Sequence, residues 1–258
     1  MIGFYFKGEQ SMKILLKLIG LSLIISSVSA DYPKLDKEKL AEIKKNTIIL
    51  QNPNLSLVDG IDQGDVYFVK VKVPTPKGME KFKVYVDKKT GMAFVGEAFD
   101  KEGKLLVFPK EKKIVDEGIA FSYGHGKKEL YLVSDPECPY CKKFEKESQG
   151  KLDEYTVHVI FFPLSFHKES PAMIEWIMQG KDDKAKKARM DEIMLKNSTA
   201  YRTLIKDNKK PFSYSVETRK AITRSMKAVD ELEVQGTPSL YNDKLEYRDW
   251  VQLVMPQK

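Results

Sequence analysis

The chain has 258 residues, with 44 Lys and Arg against 37 Asp and Glu, and two cysteines. That length fits one to two domains, and 42% hydrophobic with 31% charged residues can bury a core, which excludes a chain disordered throughout. Two cysteines exclude a disulfide-rich scaffold and a four-thiolate zinc site, and the formal charge of +7 is spread among alternating acids and bases, which points away from nucleic acid.

Residues 1–30 read as a signal peptide. Lys13 and Lys17 precede an apolar run over 18–25, and Val28-Ser29-Ala30 offers cleavage after Ala30. The run is short for a membrane span, so a retained anchor is the lesser reading, and Met12 is an alternative start. A cleaved leader places the mature chain outside the cytoplasm, where thiols tend to oxidise.

Residues 31–50 are lysine-rich, with Leu35, Leu40, Ile43 and residues 48–50 as apolar points, and predict an exposed amphipathic helix. Residues 55–108 predict β-structure. Over 66–73, Tyr67, Val69, Val71 and Val73 share one face while Lys70 and Lys72 take the other. Over 81–86, Phe82, Val84 and Val86 alternate with Lys81, Lys83 and Tyr85. Such alternation predicts strands with one wet face. Residues 74–78 and 87–91 read as turns, and 94–95 and 105–108 as further strands. The edges of so small a sheet suit a partner chain. Residues 109–126 read as a linker, with a short helix over 110–121 ended by Gly124-His125-Gly126.

From Lys127 the pattern becomes α/β. Residues 130–133 and 157–162 are short apolar strands separated by a helix from about 139 to 148, which predicts a right-handed parallel crossover. Ser170 is placed to cap a helix, with Pro171 in its first turn and Gly180 beyond its end. A charged helix follows over 184–196, then one capped by Ser215 with Ile222, Met226 and Val229 on one face. Short strands over 239–241 and 244–247 and a helix over 249–255 close the chain. Met173, Met178, Met190, Met194 and Trp176 read as core ahead of an adaptable binding surface. The basic stretch 181–189 reads as a solvated helix face.

Both cysteines fall in one motif, Cys138-Pro139-Tyr140-Cys141, directly after a buried strand and opening a helix. Unpaired backbone N–H groups and the positive end of the helix dipole converge at Cys138, which favours a thiolate. Pro139 suits the first helical turn, and the Pro139-Tyr140 spacer puts Cys141 one turn on. Cys138 is thus expected to be the exposed attacking sulfur and Cys141 the shielded resolving one. Half a zinc site is disfavoured, because no second Cys pair exists and His125, His158 and His167 give no spaced ligand pair. An inert structural disulfide would close too short a loop to stabilise much. In Gly236-Thr237-Pro238, a cis bond would turn the backbone of Thr237 toward an extended substrate, whereas an ordinary trans proline would not. Glu137 and Lys142 flank the thiols as candidates for tuning them, and His167 is a candidate neighbour of the redox centre, with a surface histidine as the default reading.

The run Tyr131-Leu132-Val133-Ser134-Asp135-Pro136-Glu137-Cys138-Pro139-Tyr140-Cys141-Lys142-Lys143-Phe144 resembles the active-site segment of the bacterial periplasmic disulfide isomerase family, the DsbC/DsbG type. Its CPYC is more similar to DsbG than to the CGYC of DsbC. Gly236-Thr237-Pro238 resembles the family's cis-proline loop, and residues 91–103 are similar to the late strand and turn of its dimerisation domain. The resemblance implies an α+β N-terminal dimerisation domain over 31–108, a linker helix over 109–126, and a thioredoxin-like α/β domain over 127–258 with a helical insertion at about 165–232. It implies a homodimeric periplasmic thiol–disulfide oxidoreductase acting as isomerase or reductase on misfolded or oxidised secreted proteins. Such a protein takes no metal or organic cofactor and is kept reduced by a DsbD-type membrane reductant. The implied site residues are Cys138 and Cys141 as catalytic pair, Gly236, Thr237 and Pro238 as substrate-binding loop, and Pro139 and Tyr140 as tuning residues. The short tail after Pro238 and the short linker helix depart from the family pattern. A DsbA-like dithiol oxidase and a holdase chaperone without redox turnover are the rival readings.

Overall fold

The computed structural model describes residues 32–76, 78–99, 103, 105–206 and 210–254; the expected signal peptide lies outside the described residues. The chain divides into two compact units between Phe108 and Pro109.

In the first unit, helix α1 (Lys37–Asn46) is capped by Asp36, whose side chain accepts from the Lys39 N–H at 2.7 Å. It is followed by an antiparallel meander of β1 (Ser56–Asp62), β2 (Val66–Thr75), β3 (Gly78–Asp87) and β4 (Ala93–Val95), paired in sequence order. Leu40 and Ile43 of α1 pack with Val69, Val71, Val84 and Val86 on one face. The alternation expected to leave the opposite face wet holds only in part. Phe68, on that opposite face, is fully buried, stacked on Tyr85 and Phe108 with ring centroids 4.5 and 4.1 Å apart. Residues 105–108, expected as a strand, supply this cover instead: Leu105 makes an isolated bridge to Phe99, and Phe108 folds over Phe68.

The second unit runs through α2 (Lys112–Glu117), β5 (Phe121–Tyr123), β6 (Lys128–Ser134), α3 (Pro139–Glu147), β7 (Tyr155–Phe161), α4 (Ser170–Met178), α5 (Asp183–Met194), α6 (Val216–Glu231), β8 (Ser239–Asn242), β9 (Tyr247–Arg248) and α7 (Trp250–Val254). The sheet order is β5-β7-β6-β8-β9, with β6 and β7 parallel and the other pairs antiparallel. Strand β6 is apolar on both faces because both are covered. Leu130 and Leu132 pack with Phe144, Ile174 and Met190 on one side, while Tyr131 and Val133 pack with Val115 and Ala228 on the other. Met173, Met190 and Met194 are buried core, with Trp176 and Met178 packed against them.

Residues 109–126 are not a free linker: they belong to the second unit. The helix there stops at Glu117, and Phe121–Tyr123 pair antiparallel with β7, Phe121 burying its ring in the core. Gly124 and Gly126 do not end a helix. They let the chain press against the start of β7, where a Cβ on residue 126 would meet the Glu154 carbonyl carbon at 1.9 Å.

Candidate active site

Strand β6 ends at Ser134, and helix α3 begins at Pro139 with Cys138 as its N-cap in extended conformation. The turn between them is organised by Asp135, whose side chain is fully buried. Its Oδ1 accepts from the Glu137 N–H at 2.9 Å, and its Oδ2 accepts from the Leu164 N–H at 2.8 Å and lies 2.8 Å from His167 Nδ1. Its backbone meets both cysteines. The carbonyl accepts from the Cys138 N–H at 3.1 Å, and the N–H donates to Cys141 Sγ at 3.5 Å.

Both cysteines are free thiols. Cys141 is wholly enclosed in the core. Cys138, expected to be exposed, is 4% exposed, because the loop before β8 lies across it: its Sγ donates to the Thr237 carbonyl at 3.5 Å. The Thr237-Pro238 bond is cis. The Gly236 carbonyl accepts from Ser239 Oγ at 2.7 Å, which closes this loop. Pro139 occupies the first helical turn, and Tyr140 stands 65% exposed. The structure thus brings Cys138, Cys141 and Thr237 into contact at one site.

The electrostatics separate the two sulfurs. Cys138 is brought down from an ordinary 9.0 to about 5, chiefly by the hydrogen bond from the Cys141 thiol. The N–H groups of Cys141 and Tyr140 add to this, against the opposing effect of burial. Burial, and then the neighbouring Cys138, push Cys141 well above its ordinary value. A sulfur that favours the thiolate, with a protonated thiol one helical turn on, is an arrangement for thiol–disulfide exchange. Among the described residues, no three His, Cys, Asp or Glu side chains are grouped as a metal site.

Four residues behave differently from their sequence readings. Glu137 is not among the largest influences on Cys138, nor is Lys142. Glu137 instead caps α4, its Oε2 accepting from the N–H groups of Glu169 at 2.8 Å and Ser170 at 2.7 Å. Ser170, expected to cap that helix, lies inside it with its hydroxyl buried and unpartnered. His167 is no surface histidine: its side chain is 12% exposed and pairs with Asp135. Asp135 was legible as part of the resembling active-site segment and His167 as a candidate neighbour of the redox centre; their contact with each other was not. Further along α3, Glu145 is buried one turn beyond Cys141 with its Oε1 unpartnered, and Lys187 lies 3.3 Å from its Oε2.

No described helix is long and apolar enough to cross a membrane. No curated protein sequence matches the chain. Similar solved structures include the catalytic domain of Proteus mirabilis ScsC, at 21% identity over 55% of this chain and 90% of that one, with a TM-score of 0.42. A periplasmic thioredoxin-like protein from Salmonella enterica serovar Typhimurium aligns at 18% identity over 56% of this chain and 94% of that one, with a TM-score of 0.44. A disulfide interchange protein from Neisseria gonorrhoeae aligns at 25% identity over 49% of this chain and 80% of that one, with a TM-score of 0.35. The family model described as a thioredoxin-like domain matches residues 116–243. That match spans β6, the cysteine helix, the helical stretch and the cis-proline loop, and residues 116–243 are a thioredoxin-like domain.

Proposed function

We propose that this chain is a thiol–disulfide oxidoreductase that isomerises and reduces disulfides of misfolded or oxidised secreted proteins, in the manner of the DsbC/DsbG type. The observation that carries the reading is the asymmetry of the two sulfurs: Cys138 lowered to about 5 and Cys141 raised, side by side under the Thr237-Pro238 loop.

The Cys138 thiolate attacks a substrate disulfide. A bond forms between Cys138 Sγ and one substrate sulfur, and the other sulfur leaves with its electron pair as a thiolate. That freed thiolate can attack a second substrate disulfide, which makes a new pairing and frees a third substrate sulfur as a thiolate. When that third thiolate attacks the substrate sulfur of the mixed disulfide, Cys138 leaves as a thiolate and the substrate is re-paired with no net redox change. Alternatively Cys141 gives its proton to solvent and attacks Cys138 Sγ. The substrate then leaves reduced, and the Cys138–Cys141 pair is oxidised. Two electrons and two protons from a dithiol reductant restore it, in this reading a DsbD-type membrane protein.

The reading places the mature chain in the periplasm, on the strength of the leader-like residues 1–30. It also makes the protein a homodimer through the first unit. There the outer strands β1 and β4 lie at the sheet edges, and Phe94 and Val95 of β4 are 54% and 61% exposed.

One observation favours a second reading. A nucleophile held near 5 stabilises the reduced form, which makes the disulfide more oxidising and suits a DsbA-like dithiol oxidase. Acid trapping of cells followed by alkylation of Cys138 and Cys141 separates the two. A mostly reduced pair supports the isomerase or reductase, and a mostly oxidised pair replaces it with the oxidase. Unchanged refolding assistance in Cys138→Ser would leave only a holdase, and a light-scattering mass of one chain would remove the dimer.

A further inference from the structure

Between β7 and α4 the chain passes through residues 162–169, which hold no strand or helix. This loop is nevertheless pinned at several points, mostly from the four residues just before Cys138. The Phe162 N–H donates to the Ser134 carbonyl at 2.9 Å. Asp135 Oδ2 holds the Leu164 N–H and His167 Nδ1, each at 2.8 Å. Glu137 Oε2 holds the N–H groups of Glu169 and Ser170. The turn is closed by the His167 N–H donating to the Leu164 carbonyl at 2.9 Å. At the tip of this pinned turn, Phe166 is 71% exposed, its ring edge-on to His167 with centroids 4.5 Å apart.

A single exposed aromatic is ordinary on a protein surface. An aromatic on a backbone fixed by two buried or half-buried carboxylates is less so, because little freedom remains to be lost when a partner covers it. The partner's identity follows from the neighbouring chemistry. A substrate sulfur bonded to Cys138 brings its flanking residues across the adjoining surface, where Tyr140 is also 65% exposed.

We propose that residues 162–169 form the substrate-selecting loop of this site, with Phe166 gripping an apolar side chain beside the reacting cysteine of an extended, unfolded segment. The inference rests on the oxidoreductase reading above. Asp135 and Glu137 are then positioning residues, acting through the loop they hold. Formation of the mixed disulfide is the step affected: the Cys138 thiolate displaces a small thiolate from the peptide sulfur, and no other oxidant or reductant enters.

The test uses the full reduced chain and two peptides that differ only in Leu or Gly beside one cysteine, each cysteine disulfide-linked to 2-mercaptoethanol. The second-order rate constant is measured for each peptide, and their ratio is the readout. The wild-type ratio is expected at about tenfold in favour of Leu, the range of one apolar contact. Phe166→Ser brings the ratio to within about twofold of unity, Phe166→Leu keeps most of it, and Glu137→Gln lowers it part of the way. A wild-type ratio near one, or a ratio unaltered by Phe166→Ser, overturns the selecting loop while leaving the exchange chemistry standing. A wild-type protein that reacts with neither peptide overturns the oxidoreductase reading itself.

Discussion

The sulfur of Cys138 lies 3.5 Å from the carbonyl oxygen of Thr237, a residue 99 positions further along the chain. The strand register produces this contact. Val133 near the end of β6 pairs with Ser239 at the start of antiparallel β8, so the turn leaving β6 and the loop entering β8 emerge side by side. A carbonyl can accept the S–H of a thiol but gives nothing to a thiolate. The groups that favour the thiolate are therefore the remaining neighbours: the Cys141 thiol and the first N–H groups of α3.

The first prediction concerns which of these dominates. Alkylation of Cys138 by iodoacetamide, followed against pH by mass spectrometry, should show a midpoint near 5. The hydrogen bond from Cys141 is its largest cause, so Cys141→Ala should move the midpoint up toward the ordinary 9.0. A midpoint that stays near 5 in that variant would transfer the effect to the helix N-terminus.

The same asymmetry fixes how the redox potential follows pH. Above about 5 the reduced pair carries one thiolate and one thiol, because Cys138 is lowered and Cys141 raised. Reduction then takes up one proton for two electrons, and the potential falls by about 30 mV per pH unit. Below that value two protons are taken up, and the slope steepens to about 59 mV per unit. The stability sign agrees. A group whose folded value is depressed adds stability above its unfolded value, and that stability is lost as pH falls through about 5. Equilibration with thiol–disulfide buffers of known potential, quenched in acid, should place the break in slope near 5. A line of constant slope from pH 4 to 8 would contradict the lowered Cys138.

Asp135 should prove structural as well as positional. Asp135→Ala leaves the N–H groups of Glu137 and Leu164 and the ring of His167 without their shared acceptor in a closed site. Leaving buried donors without a partner costs about 1–3 kcal/mol each, readable as a lower urea midpoint with an unchanged m-value. Asp135→Asn keeps one oxygen but turns an N–H₂ group toward existing donors, so it should lose less than alanine and more than 1 kcal/mol, roughly. A loss of only a few tenths for Asp135→Ala would mean that water replaces the carboxylate freely.

What the sequence disclosed was mostly local. The strand–CxxC–helix junction, the Pro139 position and the Ser215 cap, whose Oγ accepts from the Thr218 N–H at 3.2 Å, are decided within a few residues. The unread parts depend on distant partners. Asp135 meets His167 across 32 positions, and only the path of the loop after β7 decides that. Ser170 carries every local mark of a cap, yet a glutamate 33 positions earlier accepts from its backbone N–H, and Ser170 itself lies in the first turn of the helix. Strand β5 is three residues long, too short to show an alternation, and exists because β7 offers it an edge. The burial of Phe68 likewise needed Phe108, 40 residues on, to fold over a face that the lysines mark as wet.

The last prediction tests a charge behind the cysteine helix. Glu145 is buried on α3, and burial is the main cause that raises it above its ordinary value, against the pull of Lys187. Lys187 bridges Glu145 and Asp191. Lys187→Met removes the only counter-charge within salt-bridge distance of Glu145 among the described residues and should cost about 3 kcal/mol at neutral pH. A group raised on folding is favoured in its protonated form, so its contribution is present below its unfolded value and is lost as pH rises through the folded one. The deficit of Lys187→Met should therefore shrink on acidification from pH 7 toward 4, where the carboxyl becomes neutral. Adding Glu145→Gln to Lys187→Met should recover most of the loss, since an amide can be buried there without a partner charge. Urea denaturation of the single and double variants at both pH values closes the cycle. Additive losses, independent of pH, would show that the pair is uncoupled and that Glu145 keeps its own access to solvent.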